Sequence, residues 1–505
     1  MSARPAPRRR RRRALVSVVV AAVLGACALG GCDRGARDDP GAGAARPAAP
    51  APAPAARPNV LLVVVDTLSA RHLDAYGYDR PTAPFLSSEA KQGVLFEDVT
   101  ASAPFTASSV ASLFTGLDGM HHGVGGHVDS LRFSRAHRTL TEAFRDAGYA
   151  TVGVVTNPWL TAQRGYDQGF GVYHHRGSGH APDRAKLLLD ELAKVPAAQP
   201  WFAWLHVIDV HMPYSPSAAN LNRFDAQASA SLALEHFVKR PISIDTMFFE
   251  YRYSAEDIAR TRALYDAAIL SVDEVLRDTV GALRARPGGE GMIVVYTSDH
   301  GESLCEHGLC WSHEFALYQD LVAVPWIVRA PGRLPEGKRV ATPVRAIDLA
   351  PTVAELSGVT LGGPGATTDG SSALPLVRGQ PEPLPRVAFA ESGPWRDRYK
   401  KNPRLFVHGD EGRWKMVRDG RWKLIAIPHQ PNDPPSDELE LYDLAADPGE
   451  TRNVASENPE VVARLHGAMA EWVRTRRAPP PDDAPPLAVS PEEREALQSL
   501  GYAAQ

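Results

Sequence analysis

The chain has 505 residues, 44% hydrophobic and 23% charged, with a formal charge of −4. That balance excludes a disordered or low-complexity protein and leaves room for one large domain plus a smaller one. No long heptad array and no short repeat is present.

Residues 1–32 stand apart. Arg8 to Arg13 form a positive block, and an apolar, small-residue stretch over 14–31 leads to Cys32. This reads as a secretory signal, too short and too weakly bounded for a good spanning helix. Leu29-Gly30-Gly31-Cys32 resembles a bacterial lipobox, with Leu24-Gly25-Ala26-Cys27 as a second possibility. A plain signal peptide or an uncleaved anchor are the alternatives, and the match to a twin-arginine signal is weak. The expectation is export to a bacterial envelope or periplasm as a lipoprotein acylated at Cys32. Residues 33–58, rich in Ala, Pro and Arg, read as a disordered tether. Cleavage would remove seven arginines and no acid, taking the formal charge to −11. An acidic body argues against nucleic-acid binding, and membrane contact is expected only through the lipid. Of the four cysteines, Cys305 and Cys310 lie outside the leader. In an oxidising compartment they form either a local disulfide or two free thiols.

From residue 59 the pattern becomes regular. Asn59-Val60-Leu61-Leu62-Val63-Val64-Val65-Asp66 is an apolar run ending in an acid, the pattern of a strand buried on both faces. Runs at 150–155, 201–206, 292–296 and 324–329 share its style, with helical patterns between them at 139–147 and 254–283. The alternation predicts an α/β, doubly wound, mostly parallel sheet flanked by helices. Polar residues fall at the strands' carboxyl ends: Asp66, then Asn157, then Asp209 and His211, then Asp299 and His300. Ligands of open α/β sheets bind at that edge, so distant residues can share one pocket. A single Asp after a strand is more often a helix cap. Near the C-terminus, 413–425 has a strand–turn–strand pattern around Asp419-Gly420. A helix near 459–476 and a last short helix at 490–500 follow. The expected boundaries are a catalytic domain at 59–385 and a small antiparallel-sheet subdomain with the terminal helix at 386–505.

Several segments together resemble the sulfatase family of the alkaline phosphatase superfamily. They are the opening strand through Asp66-Thr67-Leu68, Tyr76-Gly77-Tyr78, Pro81-Thr82-Ala83-Pro84 and Ala111-Ser112-Leu113-Phe114-Thr115-Gly116 with His122-Gly123-Val124. Leu205 to Tyr214 is similar to the family's histidine loop. Thr297-Ser298-Asp299-His300-Gly301-Glu302 is the strongest match, and Leu441-Tyr442-Asp443-Leu444 with Asp447-Pro448-Gly449-Glu450 resembles its C-terminal part. The resemblance spans residues 57–502 in order.

It implies one divalent metal ion (Mn, Zn, Mg or Ca) held by Asp66, Asp299 and His300, with Thr106 on the metal as nucleophile. His211 and His313 are implied as catalytic and substrate-contacting residues, and Asn157 as substrate-binding, where relatives place a Lys. Two departures stand out. Thr67 replaces a second Asp, which makes a high-coordination Ca site less favoured. At the position of the Cys or Ser that becomes formylglycine stands Thr106, with Ser108 and Val110 in place of the recognition Pro and Arg. No formylglycine is therefore expected. A sulfated Thr has no aldehyde to collapse to, whereas a phosphorylated Thr can be released by attack at phosphorus. The favoured reading is a hydrolase or transferase of phosphate- or phosphonate-type esters, acting on a small or polymeric anionic substrate. A sulfatase without formylglycine and a degenerate binding protein are the alternatives. The alternative for Thr106 is that it only caps its helix, and Ser108 and Ser109 are the neighbouring hydroxyls. His206 reads as a packed strand residue able to support the site, and His121 and His122 as structural. No role is assigned to His307.

Overall fold

The computed structural model describes residues 57–475 apart from 126–131, 178, 226–252, 315, 363–367, 381, 383–384, 394–412 and 429–436; beyond 475 it describes only Pro491. The leader, the tether and the last short helix therefore lie outside the described residues, apart from Pro491 and the tether's last two residues, 57–58.

The strands are, in chain order, β1 (Val60–Val65), β2 (Val94–Phe96), β3 (Val99–Thr100), β4 (Ala150–Thr156), β5 (Val172–Arg176), β6 (Trp201–Val207), β7 (Ile293–Thr297) and β8 (Ser303–Leu304). They continue as β9 (Cys310–Ser312), β10 (Trp326–Arg329), β11 (Lys338–Val340), β12 (Val344–Arg345), β13 (Ala388–Glu391), β14 (Lys415–Asp419), β15 (Trp422–Ile427) and β16 (Glu438–Asp443). Eight form one sheet in the order β11-β2-β10-β7-β1-β6-β4-β5. β7, β1, β6, β4 and β5 run parallel. The apolar run at 324–329 departs from the parallel pattern: β10 pairs antiparallel with both β7 and β2. A buried antiparallel strand between covered faces is as uniformly apolar as a parallel one, so composition does not separate them.

Side chains alternate across the sheet. Val60, Leu62 and Val64 join a core with Trp204, Val295 and the helix Thr106–Thr115. Leu61, Val63 and Val65 join another with Leu205, Val294 and the helices Pro84–Lys91, Ala181–Leu192 and Ala255–Arg284. All six β1 residues are buried. Burying each such side chain stabilises by about 1.5–3 kcal/mol. The long helix starts at a capping box, in which Ser254 and Asp257 exchange side-chain and backbone bonds.

β13, β14, β15 and β16 form a four-stranded antiparallel sheet. One face, with Met416, Ile425 and Tyr442, shares the core of the main sheet. The other, with Val417, Leu424 and Leu441, packs on Leu465 and Met469 of the helix Pro459–Thr475.

Candidate active site

Strand register brings the polar residues together. Val64 of β1 lies beside His206 of β6 and Thr297 of β7. Two residues further on, Asp66 and Asp299 leave the sheet at the same edge. Trp204 and His206 share a face, the one on which the helix Thr106–Thr115 packs. Asp66, Asn157, His206, Asp299, His300 and Thr106 are all 0% exposed.

Their contacts define one cluster. Asn157 Nδ2 donates to Asp66 Oδ2 at 2.7 Å and to Thr106 Oγ1 at 3.3 Å. Thr106 Oγ1 lies 3.2 Å from His300 Nε2. His300 Nδ1 lies 2.9 Å from the Gly301 carbonyl. A carbonyl only accepts, so Nδ1 carries a proton and Nε2 is the ring atom turned toward Thr106. His206 repeats the device, with Nδ1 2.9 Å from the Thr156 carbonyl. Its Nε2 sits 3.8 Å from Asp66 Oδ2 and 4.0 Å from Asp299 Oδ2. His300 Nε2 is 3.8 Å from Asp66 Oδ1 and 3.6 Å from Asp299 Oδ2.

Asp66 Oδ1, Asp299 Oδ2 and His206 Nε2 are buried with no hydrogen-bond partner among the described residues. Burying such atoms unpaired is costly, and carboxylates left this way are the donors a cation satisfies. Asp66, His206 and Asp299 bring one ligand atom each within 4.8 Å of the others. The residues present thus fit a divalent metal ion. Burial, then the Asp299 charge, pushes the Asp66 carboxyl well above its ordinary range. Burial acts to raise Asp299 too, but the His300 and His206 rings outweigh it and hold that carboxyl low.

Thr106 is the first residue of its helix, not its cap: Phe105 holds the cap position, with no side-chain cap bond. The Thr106 hydroxyl therefore serves the cluster, which removes the capping alternative. Ser109 Oγ donates to the Asp299 carbonyl at 2.6 Å and so is spent on structure. Ser108 Oγ is buried without a hydrogen-bond partner among the described residues.

His313 stacks on His300 with ring centroids 4.7 Å apart, and His211 meets His313 edge-on at 4.8 Å. His211 Nδ1 is bonded to the Met212 carbonyl. Burial, then the neighbouring His313 ring, pushes His211 down to about 4. Burial and His300 push His313 well below the usual imidazole range. Behind them Glu302 accepts from the Tyr214 hydroxyl and approaches His313 Nδ1 at 3.7 Å. The seven residues singled out from the sequence thus occupy one neighbourhood. Asn157, expected to bind substrate, commits its amide to Asp66 and Thr106. Asp209, at the same edge in the sequence, instead accepts from Ala181 N at 3.0 Å, at the start of the helix Ala181–Leu192. His206 is the residue whose place the sequence understated: it faces the carboxylates instead of packing in the core. Its signal in the sequence was a lone polar residue in an otherwise apolar strand, 201–207.

The two remaining cysteines form a disulfide, Cys305–Cys310, between the short antiparallel strands β8 and β9. It ties off the loop that joins Glu302 to His313.

A buried carboxylate–imidazole–hydroxyl cluster at the carboxyl edge of this sheet defines an ester hydrolase. Comparison with known proteins gives the same class. The sulfatase family profile matches residues 58–359, and an N-sulphoglucosamine sulphohydrolase C-terminal profile matches 305–475. Arylsulfatase K of Danio rerio is 31% identical over 42% of this chain, a match that spans only 37% of that relative's length. Choline-sulfatase of Rhizobium meliloti (strain 1021) is 24% identical, covering 80% of this chain and 83% of the relative. Among solved structures, the phosphonate monoester hydrolase of Agrobacterium radiobacter superposes with a TM-score of 0.64 at 23% identity, over 83% of this chain and 95% of that one. A 2-O GAG sulfatase gives a TM-score of 0.64 at 20% identity, over 83% and 92%. The chain belongs to the sulfatase family.

Proposed function

We propose that the protein is a metal-dependent hydrolase or transferase of anionic esters, of phosphate or phosphonate type, with Thr106 as its nucleophile. The observation that carries this is the Thr106 hydroxyl. It is held between His300 Nε2 and Asn157 Nδ2, beside two buried carboxylates, at the position where the family's pattern places a formylglycine precursor.

Asp66, Asp299, His300 and His206 would hold the ion, which supplies positive charge that lowers the Thr106 pKa and offsets the ester's negative oxygens. The chain's own residues do the rest. Asn157 fixes the Thr106 oxygen, which lies 3.2 Å from His300 Nε2. Thr106 Oγ gives up its proton to water and attacks phosphorus, the P–O bond to the leaving group breaks as that oxygen takes up a proton and departs as the alcohol, and a phosphothreonine forms. His313 stands where it can donate a hydrogen bond to the leaving oxygen, and His211, whose Nδ1–H is spent on the Met212 carbonyl, offers its Nε2 as an acceptor beside it. Water, or an acceptor alcohol, then attacks phosphorus and the P–Oγ bond breaks, restoring Thr106. Export with a lipid anchor at Cys32 belongs to the same proposal, rests on the leader sequence alone and fits a polymeric envelope or extracellular ester.

A second reading, direct sulfate-ester hydrolysis, is favoured by the relatives described as sulfatases. The experiment is turnover of aryl phosphate mono- and diesters, a phosphonate ester and a sulfate ester by the purified protein loaded with Mn, Zn, Mg or Ca. Phosphorus esters turned over by the wild type and not by Thr106→Ala support the proposal. Preference for the sulfate ester selects the second reading, and absence of turnover on every ester rejects both.

A further inference from the structure

We infer that His206 makes this centre select a borderline divalent ion of the zinc type over magnesium and calcium. The inference rests on the metal-centre reading above and extends it from the presence of an ion to its chemical class.

Hard ions need many oxygens: calcium takes 6–8 and magnesium wants an octahedron of oxygen donors. This centre is short of them. Thr67, next to Asp66, adopts a left-handed conformation with φ of 57°. Its hydroxyl turns back to donate to the Asp66 carbonyl at 2.8 Å, so its side chain adds no oxygen to the cluster. In its place β6 delivers an imidazole. His206 Nδ1–H is fixed on the Thr156 carbonyl, and the ring lies edge-on to Trp204 with centroids 5.8 Å apart. The Nε2 lone pair is thereby pre-aimed between the two carboxylates. At 3.8 and 4.0 Å it is too far from them for a hydrogen bond. The separation suits a third body bound by all three groups.

With His300, which presents the same kind of Nε2 to the same carboxylates, the donor set becomes two carboxylates and two imidazoles. Mixed N/O sets of low coordination number favour zinc and its neighbours over ions that bind only oxygen.

The test is metal binding, read without substrate. The stripped wild type and His206→Asn are titrated separately with zinc and magnesium against a chromophoric chelator, and bound metal after dialysis is counted by mass spectrometry. The expected result is one zinc per chain, and a fall of roughly tenfold or more in the zinc-to-magnesium affinity ratio in the variant. An unchanged ratio overturns the inference, as does a wild type that retains magnesium or calcium in preference to zinc. The wild-type arm stands even where the variant does not fold, which near-ultraviolet dichroism of the neighbouring Trp204 reports. A zinc-selective protein with no ester turnover keeps this inference and rejects the catalytic one.

Discussion

Thr106 and His122 show two opposite uses of a buried polar side chain. The Thr106 oxygen is held by an amide and an imidazole, with no structural cap to maintain. Thr106→Ser keeps the oxygen and removes only a methyl group, so kcat is expected to stay within roughly tenfold of wild type. Thr106→Ala is expected to lose at least roughly a thousandfold. Equal losses in both variants, measured by steady-state kinetics at matched metal occupancy, would argue that the methyl's packing matters and not the hydroxyl. His122 is the contrasting case. Its Nε2 lies 2.9 Å from Ser112 Oγ, and its Nδ1 accepts the Val124 N–H at 3.1 Å. That ring must stay neutral, and burial, then its His137 and His121 neighbours, pushes it down to about 3. The native state therefore binds fewer protons than the unfolded chain below the ordinary imidazole value. The stabilisation is present above that value and is lost as pH falls. Between pH 7 and 5 it amounts to about 2 kcal/mol. Urea unfolding of His122→Gln should show a smaller loss over that window than the wild type, and parallel losses would refute the assignment.

At the scale of elements, the loop closed by Cys305–Cys310 has a sequence separation of 5. Cys305 and His307 within it, and Trp311 and Glu314 just beyond, all have positive φ. Such backbone is disfavoured for non-glycine residues and persists where its surroundings fix it. The disulfide removes unfolded-state freedom worth about 2 kcal/mol for so short a loop. The expected outcome of the Cys305→Ser/Cys310→Ser double variant is a stability loss of that order in denaturant. A raised KM is expected as well, because the loop leads directly into His313. A variant with wild-type stability and KM would show the bridge to be dispensable. The helix Thr106–Thr115 illustrates the same level in the core. All ten of its residues are buried, and Ser109 pins it to the Asp299 carbonyl. The nucleophile and one carboxylate are thereby set by a single contact between two elements.

Across the whole molecule, the C-terminal sheet is joined to the main body by charge as well as by core. Inside the C-terminal part Lys423 Nζ meets Glu450 Oε1 at 2.6 Å, with both side chains 0% exposed, and Lys423 reaches across to Gln319 Oε1 at 3.2 Å. Glu450 also accepts from Gln319 N at 2.6 Å, and Arg418 pairs with Asp98. Breaking a buried pair leaves an uncompensated charge, so Lys423→Met is expected to cost about 3–5 kcal/mol. The double variant Lys423→Met/Glu450→Gln should recover part of that loss, measured by thermal and urea unfolding. If the double variant is no better than the single one, the cost lies in packing and not in the orphaned charge.

The sequence by itself determined the layered α/β architecture, because runs such as 60–65 and 292–296 are hydrophobic at every position and only a sheet covered on both faces buries them so. It also determined Asp66, Asn157, Asp299 and His300 as strand-end residues, since polarity changes abruptly where each strand leaves the core. Tertiary structure alone decided three things. Strand β10 is antiparallel, which composition cannot encode when both faces are buried. Asp209 serves a helix start while Asp66, equally placed after a strand, faces the cluster, because neighbouring elements offer each carboxylate a different partner. And His206 belongs to the site, because its direction depends on which strands lie beside β6 and in what register. Side-chain alternation is local, but the place where alternating side chains meet is a property of the assembled sheet.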